Sequence, residues 1–268
     1  MIAAATTAVA RPALPTDIRL MNAVSAAVFL LAAGVLAAAG LAALLRAPWF
    51  PVRGIQLEGE LARSSASTVR SVALPRLSGN FFSIDLQRAR QAFEAVPWVR
   101  RAVVRRVWPD RLAVRLEEHQ AVALWEGETS AERLVNSLGE IFEANVGDVE
   151  DEQLPVLAGP PGSSAQVLAM LGQLREVLRP LSRDVERLTL SGRGSWSAVL
   201  DNDMVIELGR GSQEEVLARA ARFVRTVPQV ARHFGAPVLR ADLRHPDGYA
   251  VRIRGLTTTS APGAARSN

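Results

Sequence analysis

Ala102-Val103-Val104-Arg105-Arg106-Val107-Trp108-Pro109-Asp110-Arg111-Leu112-Ala113-Val114-Arg115-Leu116-Glu117 is the stretch on which the fold turns. Two runs of alternating apolar and polar residues flank Pro109-Asp110, a dipeptide that favours a turn because proline presets φ and aspartate bonds nearby backbone. The spacing predicts an antiparallel hairpin. Ala102, Val104 and Trp108 share one face of its first strand, with Arg101, Val103 and Arg105 on the other. Leu112, Val114 and Leu116 return along the second strand, alternating with Ala113, Arg115 and Glu117. The densest positive run of the chain, Arg100, Arg101, Arg105, Arg106, Arg111 and Arg115, is spread over both strands. It reads as a solvated sheet face, because a nucleic-acid surface concentrates its charge on one side.

Upstream of the hairpin, Leu86, Ala89, Phe93 and Val96 recur at helical spacing. Asp85 stands where a carboxylate suits the positive end of a helix, and Pro97 stops the run because the residue before proline is pushed out of the α region. An earlier helix opens at Ser64-Ser65 and breaks near Pro75. Before that, Ile55 and Leu57 alternate with polar neighbours in a strand ended by Gly59. Residues 50–119 therefore read strand, helix, helix, strand, strand.

Downstream, residues 120–256 read as a mixed β domain with two helices, so the fold class is α+β. Val122–Trp125 and Leu134-Val135 are strands, with a turn at Asn136–Gly139 before Ile141-Phe142. The acidic stretch Asp148–Glu152 leads into a loop rich in proline and glycine. Ser163 and Gln166 match a capping box, and Leu168, Leu171, Leu174 and Leu178 stripe the helix that follows. A meander comes next, at Val185–Leu190, Trp196–Leu200 and Met204–Leu208, turning at Asp201-Asn202. Ser212 and Glu215 match a second capping box, ahead of the apolar face Val216, Ala220, Phe223 and Val227. The last strands, Val238–Leu243 and Tyr249–Ile253, join around Pro246-Asp247-Gly248.

At the other end of the chain, 26 uncharged residues lie between Arg19 and Arg46. As a helix rising about 1.5 Å per residue, this run covers a hydrocarbon core of about 30 Å. Trp49 and Phe50 follow where an interfacial aromatic anchor belongs. Small residues near Ala42-Ala43 suit a signal peptidase, but a cleaved signal has an apolar region of only about 7–15 residues. Residues 22–46 are therefore expected to form an uncleaved transmembrane anchor. Residues 1–21 are expected to be a mobile tail and residues 257–268 a disordered end. Flanking charge leaves the orientation open: Arg11, Arg19 and the terminal amine oppose Asp17 on one side, and Arg46 and Arg53 lie on the other.

The inventory of reactive groups is short. The chain has 268 residues and no cysteine, which removes disulfides, thiolate metal sites and cysteine nucleophiles. It has no lysine, so all 31 basic residues are arginine and the net charge is +4. A phosphate-binding P-loop and a serine–lysine dyad are thereby excluded. His119, His233 and His245 fall in no metal-ligand spacing, and His119 reads as a surface or domain-junction residue. Gly209-Arg210-Gly211-Ser212 only superficially matches a phosphate loop and reads as a strand-to-helix turn. Asp201, Asp203 and the Asp148–Glu152 run lack the calcium-loop spacing. No catalytic residue, cofactor or metal is expected.

The runs Asn80-Phe81-Phe82-Ser83-Ile84-Asp85-Leu86, Pro97-Trp98-Val99 and Val104 through Leu112 resemble the POTRA domain of the FtsQ family of bacterial cell-division scaffolds, called DivIB in Gram-positive bacteria. Leu154–Pro160 is similar to the family's central loop. Gly192–Trp196, Asn202-Asp203, Leu208–Gly211 and Ala241–Arg244 are similar to its carboxy-terminal β domain. The resemblance implies an inner-membrane protein with a cytoplasmic residue 1–21 tail, a POTRA domain at 50–119 and a β domain at 120–256, both periplasmic and at the division septum. It also implies FtsB and FtsL as partners, the FtsW–FtsI synthase as an indirect one, and no nucleic acid. Carried over by position, the surface that receives FtsB comprises Arg193, Arg244, His245, Asp247, Gly248, Tyr249 and Ile253. The family often has tyrosine where His245 stands, and some members have tryptophan where Ile253 stands; Tyr249 supplies an aromatic nearby.

The residues themselves offer a mechanism for that surface. A terminal strand with no later strand to cover it exposes N–H and C=O groups that a partner completes by strand addition. Tyr249-Ala250-Val251-Arg252-Ile253 would set register and specificity, and Arg193 and Arg244 would meet carboxylates. The rival reading is a POTRA-containing chaperone or envelope-assembly factor. Those that carry a β-barrel need many further strands, for which the chain has no room.

Overall fold

The computed structural model of the chain describes residues 16–46, 50–59, 61–127, 133–245 and 248–255. The apolar run is a single helix, α1 (Thr16–Arg46). Its stretch Leu20–Leu44 is long and apolar enough to cross a membrane. It begins six residues before the expected start, with Asp17 in its first turn, where a carboxylate meets the unpaired N–H groups. Residues 1–15, Trp49 and the expected disordered end, 257–268, lie outside the described residues.

The first sheet is built from β1 (Gly54–Glu58), β2 (Val99–Val107) and β3 (Arg111–Glu118), with α2 (Ala66–Ala73) and α3 (Leu86–Glu94) between β1 and β2. The central strand is β3, parallel to β1 and antiparallel to β2. Each helix starts where the sequence indicates. The Ser65 hydroxyl accepts from Thr68 N–H, and Asp85 accepts from the N–H groups of Gln87 and Arg88. Leu112, Val114 and Leu116 are buried as expected, the last two against Val69, Ala73 and Phe93 of the helices. Trp108 departs from the expectation. It lies in the turn rather than on the pleat and is 81% exposed.

The second sheet has nine strands in the order β12-β11-β10-β9-β8-β7-β4-β5-β6. These are β4 (Ala121–Glu126), β5 (Arg133–Asn136), β6 (Ile141–Phe142), β7 (Val156–Ala158), β8 (Val185–Leu190), β9 (Trp196–Leu200), β10 (Val205–Gly209), β11 (Val238–Asp242) and β12 (Ala250–Ile253). Three pairs in this sheet are parallel, β4–β7, β7–β8 and β10–β11, and the last two join strands consecutive in the chain by crossovers, because tight hairpins join only antiparallel strands. Helix α4 (Ser164–Leu178) carries the chain from β7 to β8, and α5 (Gln213–Phe234) from β10 to β11. Leu171, Leu174 and Leu178 of α4 and Val216, Ala220, Phe223 and Val227 of α5 are buried in the same core. Val167 and Met170 complete the buried face of α4, whereas Leu168 is only half-buried.

The two capping-box patterns behave differently. Ser212 accepts from Glu215 N–H and the Glu215 carboxylate accepts from Ser212 N–H, so that box is complete. The box expected at Ser163 and Gln166 is absent. Ser163 has helical rather than extended backbone, and its hydroxyl donates to the Pro160 carbonyl at 2.7 Å.

The two sheets meet through Trp98, His119 and Phe142. The His119 ring stacks on Phe142 at 4.0 Å, and the Trp98 indole N–H donates to Asp148 at 2.9 Å. Arg100 bridges Glu117 and Glu140, each at 2.8 Å. Burial, against an opposing pull from Glu140, lowers the pKa of His119 and so favours its neutral form. The junction reading of His119 matches this place.

Candidate partner-binding edge

Strand β12 forms one end of the nine-stranded sheet. Among the described residues it pairs with β11 alone, with Asp242 opposite Ala250, Ala241 opposite Val251 and Arg240 opposite Arg252. Two hydrogen bonds fix which backbone groups face inward. Leu243 N–H donates to the Glu207 carbonyl of β10, so Ala241 also faces β10 while Arg240 and Asp242 face β12. Arg254 N–H donates to the Pro237 carbonyl, so Arg252 and Ala250 face β11. Strand alternation then points the N–H and C=O of Val251 and Ile253 outward, away from the sheet. This is an open ladder with two outward-facing residues.

The side chains alternate across the sheet plane. Ile253 is buried, and Val251 and Tyr249 are half-buried against the core capped by α5. The Tyr249 ring meets Phe223 edge-on at 5.2 Å, and its hydroxyl lies 2.6 Å from that of Thr226. Ala250 and Arg252 occupy the opposite, exposed face. The inward row therefore holds the strand in place, and the exposed row offers Arg252 to a neighbour.

At the open end of β11, Arg244 already has a carboxylate. It grips Asp242 with both nitrogens of a fork, at 2.8 and 2.5 Å, and its backbone N–H donates to the same oxygen at 3.1 Å. The Arg244 hydrogen bond holds Asp242 well below the usual carboxylate range, at about 2, against a smaller opposing effect of burial. His245 and Gly248 are exposed beside it, and Asp247 lies outside the described residues. Arg193 is exposed in the β8–β9 turn, at the same end of the sheet. Between three and four strand spacings of about 4.8 Å separate that turn from β12, so Arg193 stands roughly 17 Å from the edge. The structure thus groups Arg244, His245, Gly248, Tyr249, Val251 and Ile253, and leaves Arg193 apart.

The family description "POTRA domain, FtsQ-type" matches residues 50–119. The description "Cell division protein FtsQ/DivIB, C-terminal" matches residues 123–244. The chain is 41% identical to cell division protein FtsQ of Thiomonas arsenitoxydans, over 91% of its own length and 90% of that relative. It is 41% identical to FtsQ of Burkholderia pseudomallei, over 90% and 94% of the two chains. With FtsQ of Bordetella pertussis the identity is 36%, over 90% and 93%. The chain belongs to the FtsQ family of cell division proteins.

Within this FtsQ chain, the matched C-terminal region ends at Arg244, so the geometry of β12 adds what that match does not cover. No group of three or more histidine or acidic side chains able to hold a metal occurs among the described residues. The phosphate-loop look-alike at 209–212 is closed by its own side chains: the Glu215 carboxylate occupies the helix start, and Arg219 donates to the carbonyls of Leu208 and Arg210. Two participants escaped the sequence reading: Asp242 neutralises Arg244, and Thr226 anchors Tyr249. Arg252, already named in the strand, is an exposed cation of the edge. The i, i+2 spacing of Asp242 and Arg244 was a usable signal for the first.

Proposed function

We propose that this FtsQ family member is a non-catalytic scaffold, anchored by α1 in the inner membrane with its N-terminus cytoplasmic and both domains periplasmic. Its open β12 edge receives a strand of FtsB, with FtsL in the same complex, and through them the FtsW–FtsI synthase at the septum. The observation that carries this reading is the outward-facing backbone of Val251 and Ile253 at a sheet end with no further strand among the described residues. Main-chain hydrogen bonds supply register in such an addition, and side chains around the edge supply selectivity. Arg244, His245, Gly248 and Tyr249 flank the incoming strand, and Arg193 meets a part of the partner that extends beyond it. Because Asp242 already neutralises Arg244, a carboxylate of FtsB must share or displace that partner. The edge pair therefore favours an acidic residue without demanding a bare charge.

Two measurements test the reading. Depleting the chain should give filamentous cells with unfinished septa, and affinity isolation of the full chain should recover FtsB and FtsL. Normal division on depletion would remove the scaffold role. Recovery of FtsB by a chain truncated after Arg244 would remove the edge.

A further inference from the structure

The β2–β3 turn, the loop before α3 and the start of β1 lie at one end of the first sheet. Gly54 pairs with Arg111, and Phe81 N–H donates to the Phe50 carbonyl at 2.8 Å. That end is also where the chain leaves α1. Four residues take it from Arg46 to Phe50, a reach of at most about 14 Å. Outside α1, the large apolar side chains exposed among the described residues are Phe50, Leu74, Phe82, Val103, Trp108, Leu138 and Phe234. Four of them, Phe50 (37%), Leu74 (45%), Phe82 (42%) and Trp108 (81%), gather at this end, whereas exposed apolar residues on a soluble surface are normally scattered.

The arrangement is built rather than loose. Arg106 donates to the carbonyls of Phe81 and Ile84, at 2.8 and 2.7 Å, and ties the loop to the hairpin. The Asn80 side chain accepts from the N–H groups of Phe82 and Ser83, and Phe82 packs edge-on against Phe50 at 5.1 Å. Exposed Arg53 and Arg111 stand at this end, and exposed Arg76 follows two residues after Leu74, which lines one cavity with Arg53 and Gly54. Arg53 and Arg111 share one carboxylate, Asp110, each at 4.0 Å, so positive charge is in excess. Aromatic rings and snorkelling arginines are the residue types that favour the headgroup layer of a bilayer.

We infer that this end of the first domain rests on the bilayer that holds α1, with Phe82 and Trp108 seated among the headgroups and Arg53, Arg76 and Arg111 on lipid phosphates. The inference rests on α1 spanning the membrane. Contact at this end fixes the tilt of the domain and so the direction in which β12 is presented.

The cysteine-free chain suits a label test. The full protein carrying Ser78→Cys, labelled with a nitroxide, is placed in nanodiscs that contain anionic lipid and a nickel-chelating headgroup. Ser137→Cys, in the second sheet, is the reference. Residue 78 lies in the loop at the proposed contact, and β3 separates that end from the junction by about 23 Å. Nickel should relax the label at 78 several-fold more than at 137. Adding Phe82→Ser and Trp108→Ser should remove most of the difference, although the tether is unchanged; both side chains are exposed, so circular dichroism should show an intact fold. Arg53→Gln with Arg76→Gln and Arg111→Gln should reduce it, and more strongly in anionic discs than in zwitterionic ones. Equal relaxation at the two positions, or a signal at 78 that survives both sets of substitutions, would overturn the inference and leave the patch to a protein partner. A chain that fails to enter the discs would instead refute the anchor itself.

Discussion

Replacing Val251 by proline separates an edge that recruits a partner from one that merely ends a sheet. The Val251 N–H points away from β11, so proline there removes no hydrogen bond from the free protein, and edge strands tolerate proline where the N–H faces outward. Val251 is only half-buried, so the stability cost should be about 1 kcal/mol. The complex loses more. One ladder bond has a net value of about 0.5–1.5 kcal/mol, and a partner carbonyl left unpaired costs about 1–3 kcal/mol. Together these amount to about 1.5–4.5 kcal/mol, or roughly ten-fold to two-thousand-fold in Kd. Arg252→Pro is the informative companion, because the Arg252 N–H faces β11 and its loss also weakens the β11–β12 pair. Calorimetric titration of a periplasmic FtsB peptide, with thermal unfolding of each variant, reads both quantities. Val251→Pro should bind weakly and unfold nearly as the parent does, Arg252→Pro should lose on both counts, and Val251→Ile should change little. Unchanged affinity in Val251→Pro would refute strand addition at β12. Unfolding in that variant with a stable Arg252→Pro would show the inward and outward positions to be reversed.

Four further outcomes follow from other contacts. Arg244→Ala should raise the Asp242 pKa from about 2 toward the ordinary value, read by carboxyl NMR titration. Because the folded pKa is depressed, the parent carries this stabilisation above about pH 4 and loses it as pH falls toward about 2. The variant should lack that component, and an unmoved pKa would contradict the pairing. Glu118 accepts from the backbone N–H groups of Ala62, Arg63 and Ser64 at 2.8, 3.1 and 2.7 Å. Burial alone would raise its pKa, but the donors from Ser64, Arg63 and Ala62 outweigh it and bring the pKa down. Glu118→Ala should destabilise the first domain by about 2–4 kcal/mol, visible as a lower urea midpoint. Ser212→Ala should cost about 1 kcal/mol by the same measurement. Ser163→Ala should cost less, since no helix N–H depends on that hydroxyl.

The hairpin at 99–118 was legible because its alternation has a period of two and breaks at Pro109-Asp110. Trp108 was misplaced because the turn begins one residue before the proline, which takes that side chain off the pleat. The serine pair shows a deeper limit. Ser163 and Ser212 carry the same short pattern, yet Ser212 has ψ of 160° and Ser163 has ψ of 0°. Only the extended conformation aims the hydroxyl at the helix N–H groups, and Pro160-Pro161-Gly162 sets the approach to Ser163. Likewise, no local residue encodes the placement of β7 between β4 and β8, because that order comes from long-range pairing through α4. At the site, the run Tyr249–Ile253 reads as a strand from its residues, without an assignment of its faces. Which face turns inward is decided by Phe223 and Thr226 on α5, more than twenty residues earlier in the chain.

The nine-stranded sheet has two ends, and they are not equivalent as docking places. At one end β6 is two residues long, and its Phe142 is packed against Trp98 and His119 of the junction. Around it, Arg63 reaches Asp148 and Glu152, and Arg100 reaches Glu140, so the first domain occupies the space beside this end. Eight strand spacings of about 4.8 Å place β12 roughly 38 Å across the sheet from β6. The protein has thus joined its two domains at the short edge and left the longer, four-residue edge at the far side. Edges with free hydrogen-bonding groups invite unwanted pairing, and natural sheets usually shorten them, charge them or cover them. Here β12 carries a single exposed arginine, Arg252, and inward anchors at Tyr249, Val251 and Ile253 that keep it flat against the core. A strand held this firmly, with no further strand beside it among the described residues, is already ordered in the free protein. Little conformational entropy then opposes the addition of the next strand, which lowers the cost of binding at this edge relative to a loop that must fold on contact.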